Sequence, residues 1–191
     1  QKGLYKSALN GFTKLVANPK FAPIVPYYIM QIYFFQNDFK SLVKYAEPKL
    51  KTVIPTRLAE VQRLLAEAYY RTSDYTNAVK YFASYAESGH QLTAVDYFLF
   101  GKSYYRQENY ELAIAQLDKV NNAPDSVMQN ATYFLASSYL EIGAFKYALQ
   151  AFKKSASYAY NDNLRESAYF NYAKLAYQLD LPFENTLSIL K

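Results

Sequence analysis

The chain has 191 residues, of which 51% are hydrophobic and 18% aromatic, with 22 Tyr, 13 Phe and no Trp. That apolar share excludes a disordered tail, and five Gly with seven Pro exclude a turn-rich β-sandwich or a linker. The absence of Cys, with a single His at His90, excludes a disulfide framework, a thiol nucleophile and His-rich metal or haem chemistry, and the net charge of +5 is unevenly placed. Residues 1–58 carry nine Lys and Arg against Asp38 and Glu47, or +7, so the remainder sums to −2. No apolar run reaches the roughly 18–20 residues that span a bilayer. Gln1-Lys2-Gly3-Leu4-Tyr5 has no apolar leader region and opens inside a helical pattern, as expected of a segment of a longer protein.

Apolar residues recur at helical spacing along the chain, and short polar breaks divide them into segments. Tyr5-x-x-Ala8-x-x-x-Phe12 predicts one helix within residues 1–20, closed by Asn18-Pro19. Residues 21–58 predict a helix pair, with Met30-x-x-Tyr33 on the first helix and Phe39-x-x-Leu42-x-x-x-Ala46 on the second, separated by Gln36-Asn37-Asp38. Pro48 falls where that second helix should still run, so an early end or a kink is expected there. Residues 59–93 repeat the arrangement as Leu65-Ala66-x-x-Tyr69, the break Thr72-Ser73-Asp74, and Tyr75-x-x-Ala78-x-x-x-Phe82. Residues 94–128 give Phe100-Gly101-x-x-Tyr104 and Tyr110-x-x-Ala113-x-x-x-Leu117 around Gln107-Glu108-Asn109. Residues 129–165 give Leu135-Ala136-x-x-Tyr139 and Phe145-x-x-Ala148-x-x-x-Phe152 around Ile142-Gly143-Ala144. Residues 166–191 end the series with Ala173-x-x-Ala176 and Phe183-x-x-Thr186-x-x-x-Leu190. From Ala66 to Gly101 to Ala136 the step is 35 residues each time, and the other landmarks keep it. Small residues at those positions let paired helices approach closely, and the Asn, Asp and Ser of the breaks can cap the helices that follow. A lone pair cannot bury its apolar face, so the core must come from stacking.

A small residue, Tyr three later, then an aromatic, Ala and Phe on the next helix resembles the tetratricopeptide repeat. The resemblance covers essentially the whole chain, departing at Met30, Leu42 and Thr186. It implies an all-α fold, a right-handed α-solenoid of stacked antiparallel helix pairs with about five units after an N-terminal half unit. The Tyr- and Phe-rich wording, as in Tyr97-Phe98-Leu99-Phe100-Gly101-Lys102-Ser103-Tyr104-Tyr105, is similar in texture to repeat proteins of the bacterial cell envelope such as outer-membrane assembly lipoproteins. That likeness implies a periplasmic or outer-membrane-associated location, while the absence of Cys fits the cytoplasm equally well.

Motifs for chemistry are absent or isolated. Gly3, Gly11, Gly89, Gly101 and Gly143 are too scattered to cradle a phosphate. Ser41-Leu42-Val43-Lys44 matches the first motif of serine acyl-enzymes without its companions, and Leu42 is already a landmark of the repeat. His90 sits in the turn Ser88-Gly89-His90, Asn130-Ala131-Thr132 is a glycosylation sequon by letter alone, and Glu108 and Glu111 read as ordinary helix-start charge. The expectation is a chain that is not an enzyme and needs no cofactor or metal.

In the family the first helices of successive units line a concave groove, which assigns three positions per unit. Three before the small landmark stand Tyr27, Arg63, Phe98, Tyr133 and Phe170. One after it stand Gln31, Glu67, Lys102, Ser137 and Lys174, and four after it Phe34, Tyr70, Tyr105, Leu140 and Tyr177. The seven-residue spread, with the polar position between, keeps each set on one helix face. The resemblance thus implies an aromatic-paved groove that binds a partner peptide or short helix, oriented by Arg63, Glu67, Lys102 and Lys174. The basic clamp that chaperone-binding relatives use is not reproduced, because its positions carry Tyr27, Gln31, Leu99, Asn130 and Phe134. Two other ligands fit the composition: glycan or peptidoglycan pieces stacking on the rings, and an anionic surface meeting residues 1–58. Nucleic acid is not the expected partner. Self-association through an unfinished end is a further expectation, since Tyr5, Ala8 and Phe12 suit a preceding helix.

Overall fold

The structure, a computed structural model, describes residues 2–180 as α-helices joined by short turns, with no β-strand among the described residues. The helices are α1 (Lys2–Leu15), α2 (Val25–Phe35), α3 (Phe39–Ala46), α4 (Pro55–Arg71), α5 (Tyr75–Glu87), α6 (Ala94–Arg106), α7 (Tyr110–Leu117), α8 (Asp125–Glu141), α9 (Phe145–Ala156) and α10 (Asp162–Gln178). α2 packs on α3, α4 on α5, α6 on α7 and α8 on α9, which are the pairs expected from the sequence. The helix expected around Phe183, Thr186 and Leu190 lies outside the described residues. α4, α8 and α10 open at Pro55, Asp125 and Asp162, upstream of the repeat boundaries placed at 59, 129 and 166. Asn130 therefore lies inside α8 rather than at its start, and its Nδ2 donates to the Ser126 carbonyl at 2.8 Å. No helix among the described residues is long and apolar enough to cross a membrane.

The chain divides into two compact units, Gln1–Leu92 and Thr93–Lys191. In the first, Ala66, Ala78, Leu42, Leu65 and Phe82 are fully buried. In the second, Ala113, Ala136 and Ala148 are fully buried beside Phe152 and Leu117. The small landmarks sit at helix crossings for a steric reason. A Cβ built on Gly101 would lie 2.6 Å from Leu117 Cγ, so α6 approaches α7 as closely as it does only with glycine there.

Turns inside each pair share one backbone solution. Asn37, Ser73, Glu108, Gly143 and Asp180 all adopt positive φ, between 52° and 74°, directly after the C-cap of a first helix. A left-handed residue at that point ends the helix, and at Asn37, Ser73, Glu108 and Gly143 it turns the chain back into the next. Asp38 and Asp74 then cap α3 and α5 with their side chains, as the polar breaks suggest, whereas Asn109 makes no side-chain cap to α7; between pairs, Asn161 caps α10. Thr93 and Asp96 form a reciprocal capping box at the start of α6.

Pro48 ends α3 early, as expected, and a 3-10 turn spans Glu47–Lys49. That break has a use. It places Glu47 where its Oε1 accepts hydrogen bonds from the hydroxyls of Tyr69 and, at 2.9 Å, Tyr81. The two rings stack with centroids 5.5 Å apart and planes 4° from parallel. The Tyr69 hydrogen bond, reinforced by Tyr81, holds the Glu47 carboxyl below its ordinary range, although partial burial works the other way. Burial and the Glu47 hydrogen bond push both phenols well above theirs.

A second polar tie lies inside the other unit. Gln129 of α8 is fully buried. Its Nε2 donates to the carbonyls of Tyr158 and Asn161 at 3.0 and 3.1 Å, and its Oε1 accepts from the Asn161 N–H at 2.9 Å. One amide thereby fixes the turn between α9 and α10, satisfying main-chain groups that would otherwise be costly to bury.

Candidate binding groove

In the first unit, α2 packs against α4. Tyr27, Gln31 and Phe34 from α2 meet Arg63 from α4, and with Phe35, Glu60 and Leu64 they line a cavity of about 210 Å³. Tyr27 is only 8% exposed, so it is a wall of the cavity rather than an open ring. Its hydroxyl accepts from Gln31 Nε2 at 2.7 Å, and Glu60 lines the same cavity. Arg57 Nη1 donates to both Glu60 oxygens at 3.0 and 2.9 Å, and the guanidinium lies over the Tyr27 ring, 5.0 Å from its centroid. Burial and then the nearby Glu60 carboxylate push the Tyr27 pKa up to about 12. Phe34 meets Phe35 and Phe39 edge to face at 6.1 and 5.8 Å.

The other two positions of this unit differ from the expected line of presented groups. Glu67 is buried, and its Oε1 accepts from Arg71 Nη2 at 3.0 Å, so its charge is already engaged. Tyr70 is half-buried and packs edge to face on Tyr75 at 6.0 Å.

In the second unit, Phe98, Lys102 and Tyr105 of α6 face Tyr133, Phe134 and Ser137 of α8, two helices in contact. The Lys102 ammonium sits over the rings of Phe98 and Phe134, 5.5 and 4.4 Å from their centroids. Tyr105 meets Phe134 and Tyr110 edge to face at 5.1 and 5.6 Å. Burial and then the nearby Glu141 charge push its pKa up, opposed by a hydrogen bond with Ser137. Tyr133 packs edge to face on Phe134 and on the core ring of Phe152. Ser137 is buried, spent on this packing rather than displayed. On α10, Phe170, Lys174 and Tyr177 are exposed, the rings at 68% and 79%.

The assigned positions therefore fall into two built clusters and one open face. Sequence reasoning missed Arg57, Glu60, Phe35 and Phe134. Arg57 and Glu60 carried a signal, an opposite-charge pair three apart at the start of a helix. Phe134 carried none beyond its ring. Half-buried rings with ammonium, guanidinium and amide groups among them suit binding through apolar contact and hydrogen bonds. His90 is exposed in its turn, stacked on Tyr85 at 5.4 Å with Nδ1 2.9 Å from Ser88 Oγ. Among the described residues no cluster of acidic and His side chains could hold a metal ion.

Residues 90–155 match the family model of the anaphase-promoting complex, cyclosome, subunit 3. No curated protein sequence matches the chain significantly. Among solved structures the chain is similar to YrrB, described as a tetratricopeptide-repeat protein with an unusual peptide-binding site. Identity is 17%, over 94% of this chain and 88% of that one, with a TM-score of 0.69. The chain has the fold of a tetratricopeptide-repeat protein. BtubC from P. vanneervenii is also similar, at 13% identity over all of this chain and 87% of that one, with a TM-score of 0.55. In this tetratricopeptide-repeat fold the paired helices α4 with α5, α6 with α7 and α8 with α9 carry the small landmarks at their crossings.

Proposed function

We propose that this protein is a non-catalytic interaction scaffold that captures a partner peptide or short helix against its aromatic-lined first helices. The observation that carries the reading is the cluster around Lys102. There an ammonium held over two rings stands beside Tyr105, Tyr133 and Ser137, half in solvent and half in packing. Rings in that position offer large contact area at small side-chain entropy cost, and Tyr keeps a hydroxyl for orientation. The peptide-binding site ascribed to YrrB, which has the same fold, lends support. The texture of the sequence favours the cell envelope as the setting, a role in envelope assembly.

Selection of short random peptides on the purified chain, followed by titration calorimetry on variants, tests the reading. Tyr70→Ala with Tyr105→Ala is expected to weaken a selected peptide about tenfold or more, the loss of one to two interface anchors. Since Tyr105 also packs on Phe134, Phe170→Ala with Tyr177→Ala serves as a second variant at exposed positions. Unchanged affinity in both pairs, with helicity intact, overturns the groove. Binding that instead follows anionic vesicles and vanishes with salt would assign function to the basic residues 1–58.

A further inference from the structure

Charge is not spread evenly over the fold. Residues 1–58 sum to +7, and residues 59–92 to −1, from Arg63, Arg71 and Lys80 against Glu60, Glu67, Asp74 and Glu87. The first unit, Gln1–Leu92, therefore carries +6, and the second carries −1 of the chain's +5. The excess is not neutralised within the unit. Lys6, Lys14, Lys40, Lys44 and Lys51 are exposed, and none of them pairs with a carboxylate among the described residues. Both acids of residues 1–58 are already engaged. Asp38 Oδ1 accepts from the Ser41 N–H at 3.1 Å as the N-cap of α3, and Glu47 Oε1 accepts from Tyr69 and Tyr81. Lys49 is turned inward, its ammonium 3.9 Å from the centroid of the Tyr45 ring.

The exposed lysines lie on two neighbouring helices. A cavity of about 660 Å³ has Tyr5, Lys6 and Leu9 of α1 on one side and Gln36, Asn37 and Asp38, just ahead of α3, on the other. A second, of about 420 Å³, joins Thr13, Val16 and Ala17 at the end of α1 to Tyr45 and Lys49 at the end of α3. Start meets start and end meets end, so α1 and α3 run side by side in the same direction. Lys40 and Lys44 stand one turn apart on the side of α3 opposite the buried Leu42 and Ala46. Apolar groups border these cations. Leu4 is 74% exposed at the start of α1, and Phe35, 60% exposed, lines the first cavity with Lys6.

We propose that the α1–α3 face rests on an anionic lipid surface, with its exposed lysines over the headgroups and Leu4 at the acyl boundary. Charge complementarity selects the partner: unpaired lysines on two adjacent helices of a unit at +6 match a dense negative surface. The bordering apolar groups favour lipid over nucleic acid, since Leu4 gains by leaving water at an acyl boundary and gains nothing among hydrated phosphates. Nor are the rings there open to bases, because Tyr5 and Phe35 already stack on each other at 6.5 Å. The face draws its lysines from α1, α3 and the turn after it, and it stands whether or not a peptide binds along α2 with α4 or α6 with α8.

Flotation of the intact chain with lipid vesicles is the test. Phosphatidylcholine vesicles with about one-third phosphatidylglycerol should carry the chain, and phosphatidylcholine alone should not. A lysine close to such a surface is worth about fivefold in binding, so Lys40→Gln with Lys44→Gln should weaken it about tenfold to thirtyfold. Lys146→Gln with Lys154→Gln removes the same charge from exposed positions of α9 and should change binding less than about twofold. Leu4→Gln should weaken vesicle binding by about threefold to tenfold, and leave any binding of a short DNA duplex unchanged. Equal losses from the α3 and α9 pairs overturn the proposal, because net charge alone would then be at work. Neutral vesicles bound as tightly as anionic ones also overturn it. A DNA duplex bound more tightly than vesicles of matched phosphate content does so too, and would assign the lysines to nucleic acid. Vesicle binding that persists while selected peptides ignore the groove variants supports this face and removes the groove.

Discussion

At the scale of single residues, the fold is tied by polar groups whose partners lie far away in sequence. Glu47 accepts from Tyr69 and Tyr81, 22 and 34 residues on. Its folded pKa lies below the ordinary 4.5, so its contribution to stability is present above that pH and lost as pH falls through the lowered value. Urea midpoints of the parent and Glu47→Gln should therefore differ at neutral pH and converge in acid; parallel curves would show that Glu47 adds nothing. The phenols mark the opposite end of the scale. Tyr27, raised from 10 to about 12, favours the folded state fully below pH 10 and ceases to do so as pH rises through about 12. An absorbance titration should show Tyr27, Tyr69 and Tyr81 ionising above the ordinary phenol range, and loss of that late component in Glu47→Gln would tie Tyr69 and Tyr81 to the carboxylate. None of these ties was legible in the sequence. Glu47 reads there as one acid in a basic stretch, and Gln129 as a polar letter in a helix, because spacings of 22 to 34 residues carry no local pattern. Pro48 was legible as a break, but not the purpose of the break.

Elements were far more readable, since periodicity and small residues are local signals of long-range packing. The landmark Gly101 shows why. The 35-residue register requires a small residue there, and the structure supplies the reason in the 2.6 Å approach of Leu117 to an added Cβ. Overpacking of that sort costs about 1–3 kcal/mol, set against the roughly 1 kcal/mol that alanine gains over glycine in a helix interior. Gly101→Ala is thus expected to destabilise the chain by about 1 kcal/mol, read as a lower urea midpoint at unchanged slope. Stabilisation instead would mean that α6 and α7 separate easily and that the landmark is a matter of helix propensity. Helix starts were less legible than helix cores. Pro55, Asp125 and Asp162 begin their helices ahead of the repeat boundaries, because proline at the first turn and an acid near the N-terminus extend a helix that the landmark count begins later. The left-handed turn was concealed for a similar reason. Asn37, Ser73, Glu108, Gly143 and Asp180 share a backbone conformation but not a side-chain type.

For the whole molecule, the aromatic fraction resolves into rings that build and rings that border a surface. Tyr69, Tyr81, Phe82 and Phe152 are buried structure, while Phe170 and Tyr177 stand exposed. Between them lie Phe34, Tyr70, Phe98, Tyr105 and Tyr133, half-buried in contact with neighbouring rings. Sequence register placed these on the first helices, but could not say how much ring each would leave in solvent, since that depends on side chains packing from the next helix. It also could not say that Glu67 and Ser137 would be buried. The central claim, our proposal, is that partners are captured on the first helices of each unit, α2 with α4 in one and α6 with α8 in the other. Its most direct test is a selected peptide carrying a photo-crosslinking residue, with the crosslinked positions read by mass spectrometry. The account predicts adducts on the α2–α4 cluster around Gln31 and Phe34, or on the α6–α8 cluster around Lys102, Tyr105 and Phe134. Adducts confined to α1, α3, α5, α7 and α9 would contradict it.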